Sequence, residues 1–162
     1  INLKLKNPRE AGADRIANAC GAYMLYSKPA IIVDIGTATT FDILDKNGDF
    51  LGGVIMPGPN LQFRALNKST SKLPKIDANT VDKAIGNNTA DAILSGVIRG
   101  SACAIEGLIE QCEAELEDRA VIIATGGYSS LISKYMNRQF DFVNPYLTLE
   151  GLRFLYELNK DK

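Results

Sequence analysis

The sequence predicts an α/β layered domain whose leading strands form a meander. Three observations carry this. Short apolar runs at residues 30–33 and 120–124 have the length of buried strands and flank a long apolar helical pattern. Asn47-Gly48, between two strand-like runs, is a strong hairpin signal. Apolar residues make up 46% of the 162 residues, enough for a sizeable core.

The elements follow in order. Asn7 can cap a helix with Pro8 at its first position and Glu10 three residues after the cap. Ile16, Ala17, Ala19, Cys20, Ala22 and Tyr23 continue that helix to about Tyr26, and its small residues suit a close helix neighbour. After the strand at 30–33, residues 41–44 and 51–55 read as two more strands joined through Asp45-Lys46-Asn47-Gly48-Asp49. Met56-Pro57-Gly58-Pro59 ends the sheet run, a short helix follows over 60–68, and 69–80 is polar and irregular. Asn88 or Thr89 caps a long helix to about Leu116, with Ile93, Val97, Ala104, Ile105, Leu108 and Cys112 on its apolar face. Gly96 and Gly100 form a small-xxx-small pair suited to close packing. A strand at 120–124, a helix at 128–135, a strand at 140–143 and a helix at 149–158, capped by Thr148, complete the order.

Bulk composition removes several function classes. The net charge is −1 with 23% charged residues, which points to neither nucleic acid nor a membrane surface as partner. No apolar run approaches a membrane span, and the start carries no secretory pattern. Three cysteines, Cys20, Cys103 and Cys112, with no C-x-x-C, read as core filler in a reduced cytosolic compartment. There is no histidine, so Ser-His-Asp, Cys-His and His-containing zinc sites are excluded. Proton transfer falls to Asp, Glu, Lys, Tyr or Cys. The chain begins at Ile1 rather than Met, and the expectation is a piece of something longer.

Three segments can carry chemistry. Asp34-Ile35-Gly36-Thr37-Ala38-Thr39-Thr40 follows a buried strand; its backbone N–H groups and the Thr37 and Thr39 hydroxyls can donate to phosphate, and Asp34 can hold a cation. It reads equally as a tight turn with capping hydroxyls. Gly12-Ala13-Asp14-Arg15 sets an acid beside a base in a charge-poor helix: Asp14 can accept an alcohol proton and Arg15 can bind a carboxylate, or both can sit on a solvated face. Thr125-Gly126-Gly127 can let a nucleoside lie against bare backbone, or be a plain strand-to-helix turn.

The order and spacing of these segments change the odds. Asn7-Pro8-Arg9-Glu10-Ala11-Gly12-Ala13-Asp14-Arg15 resembles the N-P-x-E-x-G-A-D-R stretch of type III pantothenate kinases. Asp34-Ile35-Gly36-Thr37-Ala38-Thr39-Thr40-Phe41-Asp42 resembles their D-x-G-T-A-T-T-x-D. The stretch from Gly52-Gly53 to Pro57-Gly58, Ala65-Leu66, Lys72-Leu73-Pro74, Gly86-x-Asn88-Thr89, Thr125-Gly126-Gly127 and residues 147–152 fall in the same family order.

The resemblance implies a ribonuclease-H-like half of the acetate and sugar kinase, heat-shock chaperone and actin superfamily fold. Residues 1–26 would end the first half-domain and 27–162 would form the second. It implies a cytoplasmic, homodimeric enzyme that phosphorylates pantothenate with ATP, Mg2+ and a monovalent cation, K+ or NH4+. Asp14 would be the proton acceptor. Gly12, Ala13, Asp14, Arg15 and Thr89 would line the pantothenate site; Gly36, Thr37, Thr39, Gly126 and Gly127 would meet ATP; Asp34 would bind the cation. Phosphoryl transfer needs mainly positioning and charge neutralisation, so the lack of histidine is no obstacle.

The chain departs from the family pattern in three places. The N-terminal Asp-x-Gly-Asn-Thr phosphate loop is absent, so residues 1–162 alone are expected to be inactive, the missing segment being supplied by the rest of the chain. Leu5 stands where many members have Tyr, and Gln62 where Ser is usual. The rival readings are a non-catalytic or regulatory relative, and another kinase or a glycoside-binding ATPase of the same superfamily.

Overall fold

The structure is a computed structural model that describes residues 1–69 and 76–160. The Lys72-Leu73-Pro74 motif lies outside the described residues. A five-stranded sheet has the order β3-β2-β1-β4-β5, with β1 Ala30–Ile35, β2 Ala38–Leu44, β3 Phe50–Pro57, β4 Val121–Thr125 and β5 Phe142–Val143. The β1–β2 and β2–β3 pairs are antiparallel and give the expected meander. β4 joins β1 in parallel, and β5 joins β4 in parallel. The Asp45–Asp49 turn closes as the Asn-Gly signal predicts, with Gly48 at φ +80° and its N–H donating to Asp45 O at 2.9 Å.

Helices cover both faces. On one lie α1 (Ala13–Leu25) and α6 (Leu147–Asn159), sharing a core of Ala19, Ala22, Leu147, Ile32, Leu44, Phe50 and Ile123. These two helices touch backbone to backbone: a Cβ at Gly151 would overlap the Ala17 carbonyl, and one at Gly21 would meet Leu147 O at 2.9 Å. The small residues of α1 therefore do what their size suggests. On the other face, α4 (Gly100–Leu116) packs over Ile31, Val33, Ile35, Phe41, Ile43 and Ile122. The short helices α2 (Pro59–Ser69), α3 (Thr89–Leu94) and α5 (Ser129–Ser133) complete the chain.

Several local expectations need correction. Pro8–Glu10 forms a single 3-10 turn, and α1 starts afresh at Ala13 with Gly12 as its cap. The Asn7 side chain bonds Glu10 Oε1 at 2.8 Å instead of capping an amide. α6 begins at Leu147, so Thr148 lies inside it, and its hydroxyl donates to Asn18 Oδ1 at 2.6 Å. The long helix does start at Asn88, whose Oδ1 accepts from Asp91 N at 2.9 Å. A π-turn at Ser95–Arg99 then inserts extra backbone per turn. Val97 and Ile105 are buried as expected, and Ile93, Leu108 and Cys112 pack half-buried on the same core. Ile98, Ala102 and Ile109 take the remaining buried positions, where Ala104 does not. A Cβ added at Gly96 or Gly100 would meet nothing within 4 Å, so no helix packs on that pair among the described residues. Cys20 is buried, Cys112 half-buried and Cys103 exposed, so Cys103 is not core filler.

Thr89–Leu116 forms one helical run of 28 residues with a mean hydropathy of 1.5 in its best window, which is membrane-span length and composition, contrary to the sequence reading. Its buried stripe seats on the sheet, as a core helix does.

Candidate active site

Period-two alternation along the strands decides which side chains can meet. Asp34 of β1 and Asp42 of β2 point to the α1 face, in step with Ile32 and Leu44, while Thr39, Phe41 and Ile43 point to the α4 face. The α1 face thus carries Asp34 near the carboxyl end of β1, where open α/β sheets bind ligands, and Asp42 on the neighbouring strand opposite Ile32.

α1 delivers three more polar residues to that face. Asp14 sits in its exposed first turn, where Asp14 Oδ1 accepts from Arg15 N at 2.9 Å. Arg15 reaches across to β2, with Nε donating to Asp42 Oδ1 at 2.6 Å and Nη2 to Phe41 O at 3.1 Å. One turn on, Asn18 is buried and its Nδ2 donates to Asp34 Oδ2 at 3.1 Å. With the Thr148 bond described above, a polar thread runs from α6 through α1 to the end of β1.

The charges interact. Burial pushes the Asp34 carboxyl up; the Asn18 hydrogen bond opposes this and the Asp14 charge adds to it. Burial pushes Asp42 up to about 7, against the pull of the Arg15 guanidinium, with the Asp34 and Asp14 charges adding to the rise. Asp14, Asp34 and Asp42 therefore share one neighbourhood, with the Arg15 guanidinium paired to Asp42. The cluster is anionic on balance, which suits a cation bound there.

The turn after β1 and the turn after β4 lie side by side. Tyr128 N donates to Ile35 O at 3.0 Å. Gly126 has φ +87°, and a Cβ there would meet Asp34 Oδ1 at 2.5 Å and Ile35 O at 2.6 Å, so a side chain is excluded on both counts. Gly127 borders open space. Thr37 is exposed at the tip of its turn, which Gly58 N braces by donating to Thr37 O at 3.0 Å.

The structure thus brings together Gly12, Ala13, Asp14, Arg15, Asp34, Gly36, Thr37, Gly126 and Gly127. It does not bring Thr39, whose side chain is buried on the opposite face with its hydroxyl unpartnered among the described residues. Nor does it bring Thr89, which opens α3 in the layer over the α4 face. Arg15 is not a free cation, since Asp42 and Phe41 hold two of its nitrogens.

Asp42 and Asn18 carry no assigned role in the sequence reading. The signal for Asp42 is a lone acid inside the apolar strand Phe41-Asp42-Ile43-Leu44; for Asn18 it is a lone amide in a run of small residues. The departures at Leu5 and Gln62 are accommodated locally: Leu5 packs on the α1-face core, and Gln62 Nε2 donates to Pro57 O at 3.0 Å and Ser101 Oγ at 3.1 Å. Among the described residues, no group of three or more Cys, Asp or Glu side chains is arranged to hold a metal.

A family model described as type III pantothenate kinase matches residues 1–111. A protein from Dehalococcoides mccartyi named type III pantothenate kinase is 50% identical over 160 residues, covering 99% of this chain and 60% of that protein. The chain therefore spans about 60% of the length of the curated relatives it matches. Among solved structures, a conserved protein from Campylobacter jejuni described as a Baf family transcriptional activator superposes with TM-score 0.68 at 24% identity, over 96% of this chain and 68% of that one. An activator of 2-hydroxyisocaproyl-CoA dehydratase from Clostridium difficile, with bound ADPNP, superposes with TM-score 0.53 at 13% identity, over 92% and 69%. These likenesses show that the chain shares its fold, a mixed sheet with helices on both faces, with the two proteins.

Proposed function

The chain belongs to the type III pantothenate kinase family, and from that premise we propose that it carries the acceptor side of an ATP-dependent phosphorylation of pantothenate to 4'-phosphopantothenate. The observation that carries this is the convergence of Asp14, Arg15 and Asp34 with the Gly36-Thr37 and Gly126-Gly127 turns at one end of the sheet.

Asp14 takes the acceptor's hydroxyl proton. It is exposed in the first turn of α1, and its neighbour Arg15 is anchored to β2. Gly12 and Ala13 lie beside it at the head of α1, and the uncommitted end of Arg15 binds the acceptor's carboxylate. Thr37 and the backbone of Gly36, Gly126 and Gly127 face the nucleotide, with the two bare glycines on the adenosine side. Residues 1–26 end one half-domain and 27–162 form the second, the two closing on the nucleotide. The enzyme is a cytoplasmic homodimer, in which Thr89, remote from Asp14 within one chain, serves the pantothenate site.

ATP, Mg2+ and a monovalent cation complete the reading. The fit rests on the donor set: Asp34 Oδ2 is held by Asn18 while Oδ1 lies between the two glycine turns, inside an anionic cluster. One carboxylate oxygen with neighbouring backbone carbonyls suits an oxygen-seeking cation. A monovalent cation held by Asp34 would offset phosphate charge there, beside the Mg2+ that comes with ATP.

The test is an assay of the full-length protein with ATP, Mg2+, K+ and pantothenate. Formation of 4'-phosphopantothenate is expected, and a panel of other small hydroxy acids is expected to react at least about tenfold less well. No product from pantothenate, or faster reaction of another alcohol, contradicts the reading. Asp34→Ala is expected to weaken the K+ or NH4+ response; an unchanged cation requirement removes that role.

A further inference from the structure

Asp42 is fully buried in β2, yet substrate cannot reach it and the proposed chemistry does not use it. A buried carboxylate is costly unless its partners are well placed. Its Oδ1 has such a partner in Arg15 Nε at 2.6 Å, whereas Oδ2 has none among the described residues. The surroundings of Arg15 are built to match. Nη2 is held by Phe41 O at 3.1 Å, and the Phe50 ring centroid lies 5.5 Å from the guanidinium carbon. Across from these, β3 offers Gly53, where a Cβ would overlap Phe41 O and stand 2.7 Å from Arg15 Nη2. The grip leaves Nη1 with no hydrogen bond among the described residues. Arg15 is the residue next to Asp14, so fixing one orients the first turn that carries the other.

We propose that Asp42 is a positioning residue: acting through Arg15, it holds the guanidinium so that Nη1 binds the carboxylate of the acceptor and sets the acceptor's hydroxyl toward Asp14. The inference rests on the proposed function. A salt bridge serving only stability would leave the kinetics of the folded enzyme unchanged, and that difference makes the role testable. The gap at Gly53 belongs to the same device, since it gives the guanidinium its place against β2.

The experiment is steady-state kinetics of the full-length enzyme with pantothenate and MgATP, with circular dichroism as the fold control. Asp42→Asn is expected to raise KM for pantothenate about tenfold or more while KM for ATP stays within about twofold. Arg15→Lys is expected to give a similar rise, and the double variant is expected to lose no more than either single one. KM for pantothenate within about twofold of wild type in folded Asp42→Asn, or additive losses in the double variant, overturns the proposal. Should Asp42→Asn fail to fold, Arg15→Lys reads the same grip from α1, and an unshifted KM there overturns it. A slowly exchanging Arg15 Nε–H signal in NMR spectra is expected in wild type and lost in Asp42→Asn; equal protection in both overturns the proposal whatever the activity. No phosphopantothenate from the wild type would sink the proposed function, whereas an unshifted Asp42→Asn in an active enzyme would sink the positioning role alone.

Discussion

The two faces of the sheet are held by different physics. On the α4 face, Ile98, Ala102, Ile105 and Ile109 meet Ile31, Val33, Phe41 and Ile43 in a dry, apolar contact. On the α1 face, an apolar floor of Ile32, Leu44 and Phe50 gives way toward the carboxyl end of β1 to Asp34, Asp42, Arg15 and Asn18. The first arrangement is non-directional and tolerates volume-conserving change; the second depends on single hydrogen bonds at fixed distances. The α4 face holds the larger apolar core, the α1 face joins a smaller apolar core to the polar cluster, and the sheet is the part they share.

Substitutions can break this contrast from either side. The largest loss of stability is expected from Phe41→Ala, which empties a fully buried ring position on the α4 face; about 3–5 kcal/mol should appear in urea denaturation. Gly151→Ala comes next, since its methyl would overlap the Ala17 carbonyl, a backbone atom that cannot swing away. A cost of about 1–3 kcal/mol is expected. It should come with a weaker cation response, because the separation of α1 from α6 disturbs the Thr148–Asn18–Asp34 thread.

A pH series gives a slope rather than a single loss. The carboxyl of Asp42 is pushed up to about 7 in the folded protein, from an ordinary value of about 4 in the unfolded chain. Between those values the native state holds a proton that the unfolded chain has released. Stability from this group is therefore present at low pH and lost as pH rises through about 7. Denaturation at a series of pH values is expected to show a shallower fall for Asp42→Asn than for wild type over that window; identical slopes would contradict the account. The smallest effect is expected at Cys103→Ser, an exposed thiol on α4, within about 0.5 kcal/mol of wild type.

The same contrast explains what the sequence could tell. Periodicity finds strands, the Asn47-Gly48 hairpin and the Asn88 cap because each is a local choice. The π-turn at Ser95–Arg99 is invisible to a 3.6-residue pattern, and Ile98, Ala102 and Ile109 join the buried positions Val97 and Ile105 that the pattern does find. In the site, Asp14, Asp34, Gly36, Thr37, Gly126 and Gly127 are legible because motif order carries them. Thr39 shares that motif, yet strand alternation sends it to the other face. The Arg15–Asp42 pair joins residues 27 positions apart, a tertiary contact with no local signature. Asn18 gains meaning only with α1 seated over the end of β1.

The central claim is that Asp14 at the head of α1 does the proton chemistry beside phosphates gripped at the ends of β1 and β4. Steady-state kinetics of full-length Asp14→Asn tests it most directly. The account predicts a fall in kcat of about a hundredfold or more with KM for ATP within about twofold. Turnover equal to wild type in the folded variant would contradict it.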